Sequence, residues 1–199
     1  LPVPVAVPQP YKIDFEFPGL RHPLPPLWAP NEEFEVVVRV LKDSEIIEAP
    51  VEVYINGKLL TKSSKFKCSF PREGNYVFEA RSRVKGKWVR GRVLVRIARY
   101  DEEVIRLYNE VFLSWARDYI DDVDEKTPTE ILLEFYSNPG LVKALPLSGE
   151  KKELEEIEIV TRIFEEAKYS LHPITREKFT RFYLSLYRLG LPVGEAYEA

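Results

Sequence analysis

The chain holds one cysteine, two histidines, one glutamine and no methionine in 199 residues. A lone Cys68 excludes a disulfide framework and any multi-cysteine metal site. His22 and His172 leave little for metal ligation or proton transfer, so no cofactor and no metal is expected. No stretch comes near the ~18 consecutive apolar residues that a membrane span requires. There is no Gly-rich phosphate loop, no dinucleotide fingerprint and no Gly-x-Ser-x-Gly elbow, which removes the motif-bearing nucleotide-binding and hydrolase classes. The missing methionine makes Leu1 an unnatural start, and the expectation is a chain excised from something longer. Few Gln, Cys and Asn beside many Lys, Arg and Glu is a pattern of heat-adapted proteins, and a thermophilic, archaeal source is expected.

What is present has two halves. Residues 1–30 carry nine of the sixteen prolines, from Pro2 to Pro30. Proline fixes φ and removes a donor, so this segment should run extended as a stiff spacer, with Tyr11, Ile13, Phe15, Phe17 and Trp28 packing its later part on the body. From Asn31 to Tyr100 the hydrophobic period is two. Phe34, Val36, Val38 and Val40 alternate inward, then Val51, Val53 and Ile55, then Phe66, Cys68 and Phe70, then Tyr76, Phe78 and Ala80, then Val89, Val93, Val95 and Ile97. Turn signals at Pro50, Asn56-Gly57, Pro71, Gly74-Asn75 and Lys85-Gly86-Lys87 separate short antiparallel strands. The strand order and the Gly74-Asn75-Tyr76 entry resemble immunoglobulin-like modules of prokaryotic surface and membrane proteins. The paired cysteines and core tryptophan of antibody domains are missing.

After Asp101 the period becomes 3.6. Val104, Tyr108, Val111, Trp115 and Tyr119, flanked by Ile105 and Phe112, predict a first helix of about five turns. Thr127-Pro128-Thr129-Glu130 is a capping box that opens a second, ending before Asn138-Pro139-Gly140. A third spans about 150–169 with Leu154, Ile157, Val160, Phe164 and Ala167 inward. A fourth starts near Thr175, buries Phe179, Phe182, Tyr183, Leu186 and Leu189, and ends at Gly190. The fold class is therefore all-β plus all-α: an immunoglobulin-like β-sandwich over 31–100 followed by a four-helix bundle over 101–199.

Candidate chemistry is sparse. Cys68 sits between Phe66 and Phe70 where a small hydrophobe belongs, and no histidine lies near it in sequence. His172, before Pro173, suits capping of the third helix, with Glu165 and Glu166 one to two turns back. Asp121, Asp122, Asp124 and Glu125 lack the glycine and the spacing of a calcium loop and read as a solvated acidic linker. The chain is expected not to be an enzyme, with no catalytic residue.

Charge carries the strongest signal. The net charge of −3 conceals 17 basic against 11 acidic residues over 1–100, and 12 against 21 over 101–199. Alternation sets Arg81, Arg83, Arg90, Arg92 and Arg96 with Trp88 on the outer face of one hairpin, Lys65 and Lys67 outward nearby. This is the candidate interaction surface. Nucleic acid would use more aromatics and a recognition motif; a protein partner, the acidic helical half or an anionic membrane suits the face better.

In the helical half, Lys126-Thr127-Pro128-Thr129-Glu130 with Leu132 and Phe135, then Val160 through Tyr169 and Pro173, then the closing Phe179-to-Leu189 helix, resemble an uncharacterised helical domain. That domain forms the C-terminal part of membrane-anchored transglutaminase-like proteins and occurs in membrane proteins of operons encoding a MoxR-type ATPase. The resemblance covers about residues 101–190. It implies a non-catalytic soluble portion of a membrane protein, membrane-associated through a segment outside this chain and working as a protein–protein interaction or assembly module. The transglutaminase Cys/His/Asp set belongs to another domain and has no counterpart here. A carbohydrate or surface-polymer binding module is the alternative; it calls for exposed aromatics such as Trp88 or Trp28, and burial of both rings would remove its support.

Overall fold

The computed structural model describes residues 1–3, 10–142 and 150–198; Pro4 and Pro8 of the proline-rich stretch lie outside them. Strands β1 (Tyr11–Glu16), β2 (Leu27–Trp28), β3 (Phe34–Lys42), β4 (Glu45–Ile47), β5 (Val51–Ile55), β6 (Lys58–Thr61), β7 (Lys65–Cys68), β8 (Gly74–Val84) and β9 (Lys87–Ile97) come first. Helices α1 (Tyr100–Leu107), α2 (Leu113–Ala116), α3 (Pro128–Ser137), α4 (Pro139–Val142), α5 (Glu150–Tyr169) and α6 (Arg176–Arg188) follow, with short 3-10 turns at Val123–Glu125 and Val193–Tyr197. The chain divides into two compact units. Leu1–Leu20 and Pro30–Ile97 make the β unit; Arg21–Ala29 and Ala98–Ala199 make the helical unit. The Pro-rich stretch is thus shared: Tyr11–Glu16 is a strand, and residues 21–29 group with the helices.

In the β unit, β1 pairs antiparallel along one side of β3, while β4 and β7 pair with its two ends. A second antiparallel set runs β9-β8-β5-β6. The alternation read from sequence decides which faces meet. Val36, Val38 and Val40 of β3 and Val53, Phe78, Ala80 and Val95 of the second sheet are all buried. Phe78 lies edge-on to Phe15 at 6.5 Å and tilted against Phe34 at 6.4 Å, which seats one sheet on the other. Asn56-Gly57 supplies two left-handed residues, φ 48° and 85°, and closes the β5–β6 hairpin as a primed two-residue turn.

Gly91 marks the tightest approach. A Cβ built there would sit 2.8 Å from the Ile13 carbonyl oxygen and 2.9 Å from its Cβ, so backbone would have to move. Gly91→Ala is expected to destabilise the β unit by about 1–3 kcal/mol, the usual penalty of overpacking. Loss of amide protection along β1 would check it; unchanged protection and stability would show that β1 shifts freely.

In the helical unit, Leu107, Phe112, Phe135, Ile157, Val160, Phe179, Phe182 and Leu186 form the centre of one buried cluster. Thr127 caps α3 as anticipated: its hydroxyl accepts from the Glu130 N–H at 3.2 Å, and the Glu130 carboxylate accepts from the Thr127 N–H at 2.9 Å. Gly190 closes α6 at φ 77°, its N–H bonding to the Tyr187 carbonyl at 2.9 Å and that of Leu191 to the Leu186 carbonyl at 3.2 Å, a Schellman ending.

Two helical expectations are corrected. The first helix ends at Ala116 and contains a π-turn at Tyr108–Phe112. The extra residue rotates the inward face, so Tyr100, Glu103, Val104, Leu107, Tyr108, Val111, Phe112 and Ala116 are buried while Trp115 and Tyr119 are only half-buried. On α5 Ile157, Val160 and Phe164 are buried as expected, but Leu154 is half-buried and Glu153 takes the buried place at the N-terminal end. α3 ends at Ser137, before Asn138-Pro139-Gly140 as expected, and Pro139 opens the short α4, as proline can at a first helical turn.

Candidate interaction face

The long hairpin of β8 and β9 positions the candidate residues. Inward positions are fixed by Phe78, Ala80 and Ser82 on β8, opposite Val93, Gly91 and Val89 on β9. The intervening residues must then point away from the core. Register places Arg81 opposite Arg90, Arg83 opposite Trp88, Glu79 opposite Arg92 and Asn75 opposite Arg96. All six candidates therefore share one outer face. On β5, Glu52 is opposite Arg81 and Tyr54 opposite Glu79, so both join this face. Lys65 and Lys67 do not: they are exposed on β7, which pairs with β3 in the other sheet. Closeness in sequence places them near the hairpin, but pairing of β7 with β3 puts them in the other sheet.

The cations are not equivalent. Arg81 Nε donates to Glu79 Oε1 at 2.7 Å, and its guanidinium lies 4.3 Å from the centre of the Tyr54 ring. Tyr54 in turn donates its hydroxyl proton to Glu52 at 2.7 Å. The Arg81 hydrogen bond holds the Glu79 carboxyl below its ordinary range, helped by the charges of Arg81, Arg90 and Arg92. The bond to Glu52 pushes the Tyr54 hydroxyl up. Arg83 lies 6.0 Å over the Trp88 ring, and Arg96 donates to Asn75 at 3.4 Å. Arg90 and Arg92 make no hydrogen bond or ion pair with any described residue. The Lys85-Gly86 turn, φ 49° and 78°, carries two further exposed cations, Lys85 and Lys87. Tyr54, Glu79, Lys85 and Lys87 were not singled out from sequence. The period-two signal could have found Tyr54 and Glu79, since each lies between buried positions.

Elsewhere the chemistry is structural. Cys68 is half-buried, and burial first, then the Glu33 carboxylate, pushes its thiol up to about 12, far from a nucleophile at neutral pH. His172 does not cap α5 through its ring; it is exposed and uses its backbone N–H, which donates to the Ser170 hydroxyl at 3.0 Å. Glu165 accepts from Thr129 at 2.7 Å, and Glu166 pairs with Lys178. Asp124 of the acidic linker pairs with Arg117 at 2.7 Å. Trp28, wanted exposed by the polymer-binding reading, is 6% exposed; Trp88 is 49% exposed. Two open grooves of about 450 and 460 Å³ cross the helical unit, one rimmed by Glu158, Arg162, Lys178 and Arg181, the other by Glu110, Asp118 and Glu195. Among the described residues no group of His, Cys, Asp and Glu could hold a metal ion, and no helix is long and apolar enough to cross a membrane.

No known protein family matches the chain, and no curated protein matches it. Among solved structures it is similar to the CARDB domain of a Pyrococcus furiosus protein. The solution NMR structure of that domain is 19% identical, over 45% of this chain and 94% of that one, with a TM-score of 0.32. A crystal structure of the same domain in complex with di-metal ions is 21% identical, over 44% and 87%, with a TM-score of 0.30. The resemblance of residues 101–190 to the helical domain of transglutaminase-like proteins finds no support in these matches.

Proposed function

We propose that the chain is a non-catalytic protein-interaction module whose β8–β9 outer face docks an acidic surface of a protein partner. One observation carries this: Arg81 stands directly opposite Arg90, with Arg92 beside them, while Glu79, bonded to Arg81, is the hairpin's one outward carboxylate. Like charges set directly across a strand pair oppose folding. A face that loses stability to hold unpaired guanidinium groups is suited to recruiting carboxylates, which Arg binds in bidentate fashion. Trp88 is the one exposed aromatic of the hairpin, too few for a stacking platform on single-stranded nucleic acid. Burial of Trp28 leaves the carbohydrate reading a single exposed ring, Trp88, on this face.

In the fuller form of this reading, the β unit is an immunoglobulin-like sandwich and the helices form a four-helix bundle. The whole then serves assembly within a transglutaminase-like or MoxR-associated membrane system, anchored by a segment outside this chain. The resemblance of residues 101–190 is its support. The test uses poly-L-glutamate as probe. Native chain should bind it in a salt-sensitive manner, and Arg90→Glu with Arg92→Glu should weaken binding about tenfold or more. A photo-crosslinker at Arg92 should yield a discrete protein adduct in native membranes, while one at Lys67 should not. Equal adducts from both positions, or binding indifferent to the two reversals, would overturn the assignment.

A further inference from the structure

Beyond the docking face, the hairpin has a distinct tip. Pairing of β5 with β8 ends at Val51 opposite Ser82, whereas the β8–β9 ladder continues through Arg83 opposite Trp88 and Val84 opposite Lys87. Residues 83–88 thus run past the register of β5 and close in the Lys85-Gly86 turn. Arg83, Lys85, Lys87 and Trp88 are all exposed there. From Ala80 to Tyr100 the chain contains no Asp or Glu, so nothing in the hairpin neutralises the tip.

We infer that this tip seats the protein on an anionic lipid surface, with Lys85, Lys87 and Arg83 at the phosphate layer and the Trp88 indole in the interfacial zone. The geometry selects a bilayer over a protein at this spot. A stable protein interface buries roughly 800 Å² on each partner with matched shape, which a two-strand tip of six residues does not offer. A membrane surface asks for no shape match. It asks for cations on flexible stems, each contributing about 1 kcal/mol near an anionic leaflet, and for an indole whose apolar body and N–H suit the headgroup boundary. Lys85 and Lys87 flank the turn, and Trp88 follows on the first outward position of β9. Arg83, stacked over Trp88, keeps the ring and a positive charge together. The contact does not require the acidic protein partner: Arg90 and Arg92 lie further from the turn and stay available to it.

The test is co-sedimentation of the full chain with phosphatidylcholine vesicles that contain or lack phosphatidylglycerol. Native chain should bind only the phosphatidylglycerol vesicles and release at high salt. Lys85→Gln with Lys87→Gln should lower partitioning about 25-fold, about fivefold for each charge. Trp88 emission should shift to the blue on binding, a shift lost in Trp88→Phe because Trp28 and Trp115 remain as before. Arg90→Glu with Arg92→Glu should leave most vesicle binding intact while weakening poly-L-glutamate binding about tenfold or more, which separates this contact from the docking face. The inference is overturned by no binding to phosphatidylglycerol vesicles, by binding that survives the two lysine changes, or by an unshifted Trp88. It is equally overturned if poly-L-glutamate or duplex DNA of matched charge binds the tip as tightly as the vesicles do.

Discussion

Arg106→Leu is expected to destabilise the helical unit by about 3–5 kcal/mol, the range seen when one partner of a buried ion pair is removed. Glu103 sits on the inward side of α1 with a side chain 2% exposed. Its two carboxylate oxygens accept from Arg106, from Nη2 at 2.9 Å and from Nε at 3.1 Å, a bidentate clamp within one turn. The Tyr197 hydroxyl adds a third bond at 2.7 Å, while Arg106 also reaches Glu110 at 3.0 Å and covers the Tyr197 ring at 5.1 Å. Burial is the largest single influence and works against the Arg106 charge, but the Glu103 hydrogen bond and the charges of Glu103, Tyr197 and Glu110 together outweigh it, so the guanidinium is held more firmly protonated than usual. Leucine in its place would leave a buried carboxylate short of its countercharge. The double change Glu103→Gln with Arg106→Leu should lose less than the two single changes summed, by about 1–3 kcal/mol of coupling. Hydrogen exchange resolved along α1 and α5 is the readout, because two units need not unfold together. A loss below about 1 kcal/mol would mean that water reaches the carboxylate, and the clamp would be ornamental.

The same cluster sets an alkaline limit. Burial, and then the Glu103 charge, raises the Tyr197 hydroxyl above its ordinary 10.0; burial also raises Tyr108, and takes Tyr183 to about 12. A group whose folded value is raised contributes fully below its unfolded value and loses that contribution as pH climbs toward the folded one. Stability of the helical unit should therefore be flat up to about pH 10 and fall above it, with the fall made shallower by Tyr197→Phe.

Which parts were readable from the chain follows from how local the causes are. The inward faces of β3, β8 and β9 depend on a period of two, and the Thr127 cap and Gly190 ending depend on three or four adjacent residues. These needed no tertiary knowledge. The shared face of Arg81, Arg83, Trp88, Arg90, Arg92 and Arg96 needed only one hairpin register, and the Lys85-Gly86 turn supplies it. Lys65 and Lys67 needed to know which sheet takes β7, a non-local pairing with β3 that alternation does not encode. The π-turn at Tyr108–Phe112 was illegible for another reason: its single extra residue leaves composition and approximate period unchanged while rotating every later side chain. Glu103 reads as a solvated acid near a helix start, where the macrodipole favours it; only the arrival of Tyr197 from the far end of the chain explains its burial.

Arg176 is the extreme case of that non-locality, and Arg176→Ala is expected to free residues 21–29 from the helical unit. Local rules argue against an arginine here, since it is the first residue of α6 and a cation at a helix N-terminus meets the positive end of the dipole. What holds it is tertiary. Its Nη1 donates to the Leu27 carbonyl at 2.6 Å and to the Tyr100 hydroxyl at 2.8 Å, and the guanidinium faces Trp28 at 5.2 Å and Tyr100 at 6.0 Å. Two hydrogen bonds from a charged group, at about 1.5–3 kcal/mol each, exceed the dipole penalty of about 0.3–1 kcal/mol. Alanine should therefore remove about 2–5 kcal/mol of local anchoring after that relief. Leu27 and Trp28 are both buried, the Leu27 carbonyl bonded to this guanidinium and the Trp28 ring facing it. Trp28 emission should thus move to the red, and trypsin should cut after Arg21 before the helices lose ellipticity. Arg176→Lys keeps the charge but not the planar fork, and should fall between native and alanine. If trypsin spares Arg21 in the alanine chain and Trp28 emission stays put, the segment is held without the arginine, by Leu24 and Leu27 packing and the Ala98 N–H bond to the Trp28 carbonyl at 3.0 Å. The arginine would then be a passenger at an unfavourable position, a result that the dipole argument makes hard to accommodate.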